Sequence, residues 1–88
     1  MSSTLEVILL RASGIPLAEL REAVHASIGS LKPDAEVVQV YRRAGLDTDM
    51  AVHIRHHDGP PERSKLGLSL AASLEAHGSV QHTVWTLV

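Results

Sequence analysis

The order in which hydrophobic periodicity changes along the chain constrains the fold most. Apolar residues follow a strand period, a helix period, two further strand periods, a second helix period and a last strand period. This β-α-β-β-α-β order within 88 residues is typical of a ferredoxin-like two-layer sandwich, with a four-stranded antiparallel sheet and both helices on one face. We expect a single domain over residues 1–88. Because this fold hosts many unrelated functions, the order of elements identifies no activity.

The ends of the predicted elements follow from glycine, proline and acidic residues. The strands are expected over Thr4–Arg11, Glu36–Arg43, Asp49–His57 and Val80–Leu87, and the helices from Pro16 to Ser27 or Ile28 and over Pro61–His77. Gly29 and Gly78 are expected to end the two helices. Asp58 is a candidate for the N-terminal cap of the second helix.

The second and third strands have a preferred register. Pairing Val40 with Val52 and Val38 with Ile54 puts four β-branched side chains on one face of the hairpin. A slip of one residue would turn half of these apolar side chains outward, so this register is strongly favoured. We therefore expect this face to pack against the helices.

The first strand is largely apolar on both faces, which predicts a central position in the sheet. We assign Leu5, Val7 and Leu9 to the helix-facing side. The opposite, open face is then expected to carry an apolar patch that consists of Ile8, Leu10, Trp85 and Leu87. A contiguous patch of several hundred square ångströms is larger than a monomer usually leaves in water.

Three interpretations of this patch compete. The face packs on a second copy of the chain, since symmetric dimers commonly use one self-complementary patch. Alternatively, the face binds a small molecule or forms an enzyme pocket. In the third interpretation the fourth strand faces the other way, and Trp85 lies in the core.

Histidine is abundant, with six residues in the chain. By alternation along the third strand, His53, Arg55 and His57 share the open face, and Tyr41 joins them from the second strand. Histidine titrates near physiological pH, so this group gains positive charge as the pH falls. We regard these four residues as a possible ligand face for an acidic molecule.

No metal site or catalytic set is predicted. His53 and His57 lie about 13 Å apart along one strand, and the residue between them on that face is the cation Arg55. The chain has no cysteine, which removes thiolate ligands and thiol chemistry. No Ser-His-Asp arrangement or phosphate-binding loop is readable, so whether the protein is an enzyme stays open, and no cofactor is expected.

Composition excludes several partners. The formal net charge of −2 argues against a nucleic-acid binder, and the central strands lack the aromatic residues on which RNA-binding sheets stack bases. No apolar run approaches the roughly 20 residues that span a bilayer, and the first residues lack the basic start of a signal peptide. We expect a cytoplasmic protein that binds neither nucleic acid nor membrane.

Two families resemble the chain in pattern. The topology and the Ile15-Pro16-Leu17 entry to the first helix resemble ACT regulatory domains, which bind amino acids, although the usual Asp-x-Pro-Gly-like turn is replaced. The size, the two-sided first strand and the histidines resemble dimeric α+β barrel proteins, which pair through their sheet faces. That second resemblance implies a homodimer, and in some members a small-molecule enzyme with a pocket between sheet and helices.

The sequence thus leads first to a small binding or assembly module that homodimerises through the open sheet face. The alternative is a small-molecule enzyme or ligand-binding protein of the dimeric α+β barrel type, or an ACT-like regulatory domain. A pocket reached by His53 or Arg55 would favour the enzyme. The ligand and the pathway do not follow from the sequence.

Overall fold

The computed structural model describes residues 3–12, 14–31, 37–45, 48–57 and 61–88. Its elements are β1 (Thr4–Arg11), α1 (Leu17–Leu31), β2 (Val37–Arg42), β3 (Asp49–His56), α2 (Lys65–Leu74) and β4 (Ser79–Thr86). This order confirms the predicted β-α-β-β-α-β sandwich. The predicted strand start at Glu36, the cap at Asp58 and the hairpin residues Leu46 and Asp47 lie outside the described residues.

The four strands form one antiparallel sheet in the order β2-β3-β1-β4, so β1 and β3 are central. The predicted hairpin register is confirmed, with Val40 opposite Val52 and Val38 opposite Ile54. Val52 and Ile54 are buried, and Val38 and Val40 pack against the same core. No helix in the described part of the chain is long and apolar enough to cross a bilayer.

The facing of β1 is a correction to the sequence prediction. Ile8 and Leu10 were assigned to the open face, but they are 0% and 1% exposed and lie in the core. Ile8 pairs with Val52, and residues paired across a ladder share a face of the sheet. Leu5, Val7 and Leu9 are only partly buried and lie on the open face. Both faces of β1 are apolar, so alternation alone did not distinguish them.

The facing of β4 follows from its pairing with β1. Trp85 pairs with Leu5 and therefore points to the open face, where it is 60% exposed. The interpretation that places Trp85 in the core is wrong. Leu87, just beyond β4, is 75% exposed. The apolar part of the open face therefore consists of Leu5, Val7, Leu9, Trp85 and Leu87, and its use as an interface stays a prediction.

The helix ends differ from the predicted ones for local reasons. α1 continues through Gly29 to Leu31, because an exposed glycine weakens a helix without ending it. α2 begins later than Pro61, since the Ser64 side chain accepts a hydrogen bond from the Gly67 amide and caps the helix. It also ends at Leu74, earlier than the expected His77.

Candidate functional site

An acidic side chain lies in the core between the sheet and α2. Glu6 of β1 points to the helix-facing side, pairs with Ile54 in the neighbouring strand and is 0% exposed. A charge in this position is costly unless it is hydrogen-bonded and compensated. Its surroundings therefore decide what this part of the molecule can do.

The Glu6 carboxylate accepts four hydrogen bonds. Oε1 accepts from the Ser64 amide and from Nε2 of His82, both at 2.9 Å. Oε2 accepts from the Ser64 hydroxyl at 2.5 Å and from Nε2 of His56 at 2.7 Å. Because an ionised carboxylate only accepts, both imidazoles turn a protonated Nε2 toward it. We call Glu6, His56, Ser64 and His82 the Glu6 cluster.

Three other elements bring donors to this carboxylate. His56 ends β3, and His82 lies on β4 opposite Ile8, so the two rings flank β1 from either side. Ser64 is the N-cap of α2, and the positive end of the helix dipole favours a negative charge there. Gly67 lets the helix approach, because a Cβ at this position would collide with the Glu6 carboxylate and come within 2.9 Å of the His82 ring.

The electrostatics of the cluster keep the acid ionised. Burial by itself raises the pKa of Glu6, but the hydrogen bonds from Ser64, His56 and His82 outweigh burial and hold the pKa below its ordinary value of 4.5. Nδ1 of His82 is buried and has no partner among the described residues. The His56 side chain is 23% exposed. The His56 ring therefore extends from the buried carboxylate to the surface of the molecule.

Sequence reasoning missed Glu6 and Ser64 as site residues, although Glu6 gave a signal. It is the one charged residue in the run from Leu5 to Leu10. His82 faces the core, with its side chain 5% exposed. The described residues hold no group of three His, Asp or Glu side chains able to bind a metal. In the Glu6 cluster, the imidazole nitrogens point at separate carboxylate oxygens.

The predicted ligand-face residues lie on the other side of the sheet. His53 and Tyr41 have ring centroids 4.6 Å apart, and the Tyr41 hydroxyl donates to Gln39 at 2.8 Å. Burial, and then the charge of Arg55, lowers the pKa of His53 below its ordinary value of 6.5, so this ring is neutral at pH 7. Arg55 and His57 lie beside a separate depression.

This depression lies at the end of the open face where β1 begins, and its volume is about 450 Å³. We call it the Trp85 depression. Its lining residues are Ser3, Thr4, Leu5, Arg55, His57, Trp85, Thr86 and Leu87. Arg55 pairs with Leu5, and Leu5 pairs with Trp85, so a cation, an aliphatic side chain and an indole form one row across three strands.

A second buried acid lies at the opposite end of β3. Asp49 accepts hydrogen bonds from Arg43 at 3.2 Å, from Arg11 at 3.3 Å and from the Thr48 hydroxyl at 3.0 Å. Burial raises the pKa of Asp49, but these donors outweigh burial and lower it below the ordinary 3.8. Arg43 also forms an ion pair with Asp49. This group joins β1 to the β2–β3 hairpin.

Comparison with known proteins shows the fold. No family model and no curated protein sequence matches the chain. A mutant of SnoaB, a cofactor-independent oxygenase from Streptomyces nogalater, has a TM-score of 0.71 at 16% identity over 97% of this chain and 92% of that one. A second SnoaB structure gives 0.64 at 18% identity, over 99% and 93% of the two chains. Rv0793 from Mycobacterium tuberculosis gives 0.60 at 14% identity, over 98% and 93%. These likenesses, all below 20% identity, support the ferredoxin-like α+β fold.

The close approach at Gly67 gives the first prediction. Gly67→Ala should lower the free energy of unfolding by about 1–3 kcal/mol, because the new methyl group displaces the Glu6 carboxylate or the His82 ring. The matched control is Gly29→Ala in α1, where nothing lies within 4 Å, and it should gain up to about 1 kcal/mol from helix propensity. Urea unfolding measures both. An equal gain in the two variants would show that α2 does not approach Glu6 this closely.

The lowered pKa of Glu6 gives the second prediction. Glu6→Gln should cost about 3 kcal/mol at pH 7, because the amide turns a donor toward groups that already donate. A depressed carboxyl pKa contributes stability that is present above the unfolded value of 4.5 and is lost as the pH falls through the folded value. The difference between wild type and variant should therefore be constant above about pH 5 and shrink toward pH 3. Glu22→Gln, on the exposed face of α1, is the control and should change little at either pH. A difference for Glu6→Gln that is independent of pH would contradict the ionised state.

Proposed function

We propose that the protein is an enzyme that moves a proton to or from a small organic substrate, with the Glu6 cluster as its acid–base site. One observation carries the proposal: a fully buried, ionised carboxylate is hydrogen-bonded to two imidazoles, one of which reaches the surface. Titratable groups held together away from water are typical of active sites.

A structural role for the cluster is the alternative. The same hydrogen bonds fasten the start of α2 to the sheet. However, well-packed apolar side chains in place of a buried ionic group are often equally or more stabilising. A requirement to hold α2 would therefore not explain a charge at Glu6 and a buried, unpartnered Nδ1 on His82.

The geometry supports distinct roles for the members of the cluster. His56 is the group that exchanges a proton with substrate, because its ring is partly exposed and its Nε2 is held 2.7 Å from Oε2 of Glu6. Glu6 is a positioning residue that fixes the ring and stabilises the charge that His56 gains on taking a proton. Ser64 is half-buried at the start of α2, so we propose that a substrate approaches the Glu6 cluster from this end of the helix.

The likeness to SnoaB supports this class of chemistry. SnoaB is described as a cofactor-independent oxygenase. Without a cofactor, the electrons that reduce oxygen have to come from the substrate, and loss of a proton makes an enol or phenol electron-rich enough to supply them. The part left to the protein is binding and proton transfer. We therefore propose a weakly acidic enol or phenol as the substrate class.

We also propose that the protein acts as a homodimer that pairs through the open face, now with Leu5, Val7, Leu9 and Trp85 as its apolar residues. Four strands at about 4.8 Å and eight residues at about 3.3 Å give a face of roughly 500 Å² per copy. Two such faces together bury about 1,000 Å², which is the lower bound for a specific interface. This pairing retains the assembly role that the sequence favours and leaves the Glu6 cluster, behind the sheet, uncovered.

His56→Gln tests the proposed chemistry. The glutamine amide still donates to Glu6, so the fold should persist, but proton exchange with substrate should fall by about 10²–10⁴-fold. Deuterium uptake from solvent into a panel of 1,3-diketones and polyhydroxylated aromatics, followed by NMR, measures the transfer. Oxygen uptake on the same panel tests whether oxidation follows. His25→Gln, on the exposed side of α1, is the matched control and should keep the wild-type rate. Equal rates for wild type, both variants and buffer across the panel would defeat the proposal.

Leu9→Glu tests the proposed dimer. Leu9 lies on the central strand of the open face and is only partly buried, so the variant should fold but should be monomeric. Across a two-fold axis the new carboxylates would lie near each other and lose solvent. Leu68→Glu, an exposed position on α2, is the matched control and should leave the dimer intact. Light scattering at tens of micromolar distinguishes the forms, and a monomeric wild type would overturn the assembly.

A further inference from the structure

We propose that the Trp85 depression binds a small organic anion with an apolar body, whose acid group pairs with Arg55. The site lies on the opposite face of the sheet from the Glu6 cluster and is independent of the proposed enzymatic function. Its volume of about 450 Å³ falls in the range of small-molecule pockets.

The apolar part of the depression is preformed. Leu5, Trp85 and Leu87 supply its hydrophobic lining. The indole N–H of Trp85 already donates to the Thr83 hydroxyl at 2.9 Å, which fixes the ring on its own strand. Since that donor is used, the ring offers its apolar surface to a ligand. Fixing an aromatic side chain in advance lowers the entropy lost on binding.

The charged part of the depression is Arg55. Its side chain is exposed, and no described residue forms an ion pair with it. In the row Arg55-Leu5-Trp85 the cation and the indole lie two strands apart, about 10 Å. A guanidinium binds a carboxylate through paired hydrogen bonds. A molecule with an acid group at one end and an apolar body at the other matches this arrangement.

Charge complementarity argues that a ligand, and not the second copy of the chain itself, fills the depression when the proposed dimer covers the open face. The described acid on the open side of the sheet is Asp49, and its oxygens already accept from Arg11 and Arg43. It lies six residues from Arg55 along β3, about 20 Å away. A second copy would thus bring more cations to this face and no uncommitted carboxylate from its described residues. The counter-charge for Arg55 then comes from an anionic ligand.

The chain contains one tryptophan, so its emission reports on this depression directly. Octanoate is the probe, and 1-octanol is the matched neutral ligand. Octanoate should change the Trp85 emission saturably, and octanol should bind about tenfold more weakly. Arg55→Gln should raise the Kd for octanoate about tenfold and remove the preference over octanol. Arg21→Gln, an exposed arginine on α1, should leave the Kd unchanged.

Further variants keep the test decisive. Leu87→Asp changes an exposed residue, so the fold should persist while the new carboxylate repels octanoate. Circular dichroism confirms that each variant is folded. An unsaturable response of the wild type, equal affinity for octanoate and octanol, or an unchanged Kd in both Arg55→Gln and Leu87→Asp would each overturn the proposal. Binding by the Leu9→Glu variant but not by the wild type would also overturn it, because a second copy would then fill the depression.

Discussion

The buried carboxylate of Glu6 is the interaction on which the rest of the structure depends. Its four hydrogen bonds reach β3 through His56, β4 through His82 and the start of α2 through Ser64. One side chain on the central strand thereby sets where two neighbouring strands and one helix lie. A fold of this size has a small stability margin, so an acid in its core persists only when every donor is in place. Gly67 meets the same requirement by allowing α2 to approach.

Alternation along β1 divides the molecule into two unlike surfaces. Glu6 and Ile8 face the helices, where polar and apolar groups are sealed from water. Leu5 and Val7 face the other way, onto an apolar surface that the described chain leaves partly open. The two sides of the sheet therefore differ in chemistry: the closed side holds the buried carboxylate with its two imidazoles, and the open side has an apolar surface and the Trp85 depression. The effect of a substitution on one side of the sheet should therefore be largely independent of substitutions on the other side.

Much of this fold could be predicted from the sequence, because strand and helix periods differ and the β-branched pairs Val40–Val52 and Val38–Ile54 permit one good register. The facing of β1 could not, since apolar residues occupy both its faces. The position of Glu6 in the core could not be predicted either, because burying a charge is costly on average. That cost is offset here by donors that lie 50 to 76 positions away in the chain, which no local pattern contains.

The two buried acids of the sheet provide an internal comparison that bears on function. Asp49 is compensated mainly by Arg11 and Arg43, permanent cations whose charge does not change over the physiological range of pH. Glu6 is compensated by a hydroxyl and two imidazoles, and imidazole is the side chain whose charge changes most readily near neutral pH. Arginines suffice to hold strands together, as the Asp49 end demonstrates. The hydrogen bonds around Glu6 also anchor α2 and two strands, but they do so partly through imidazoles, the type of side chain that the proposed acid–base function requires.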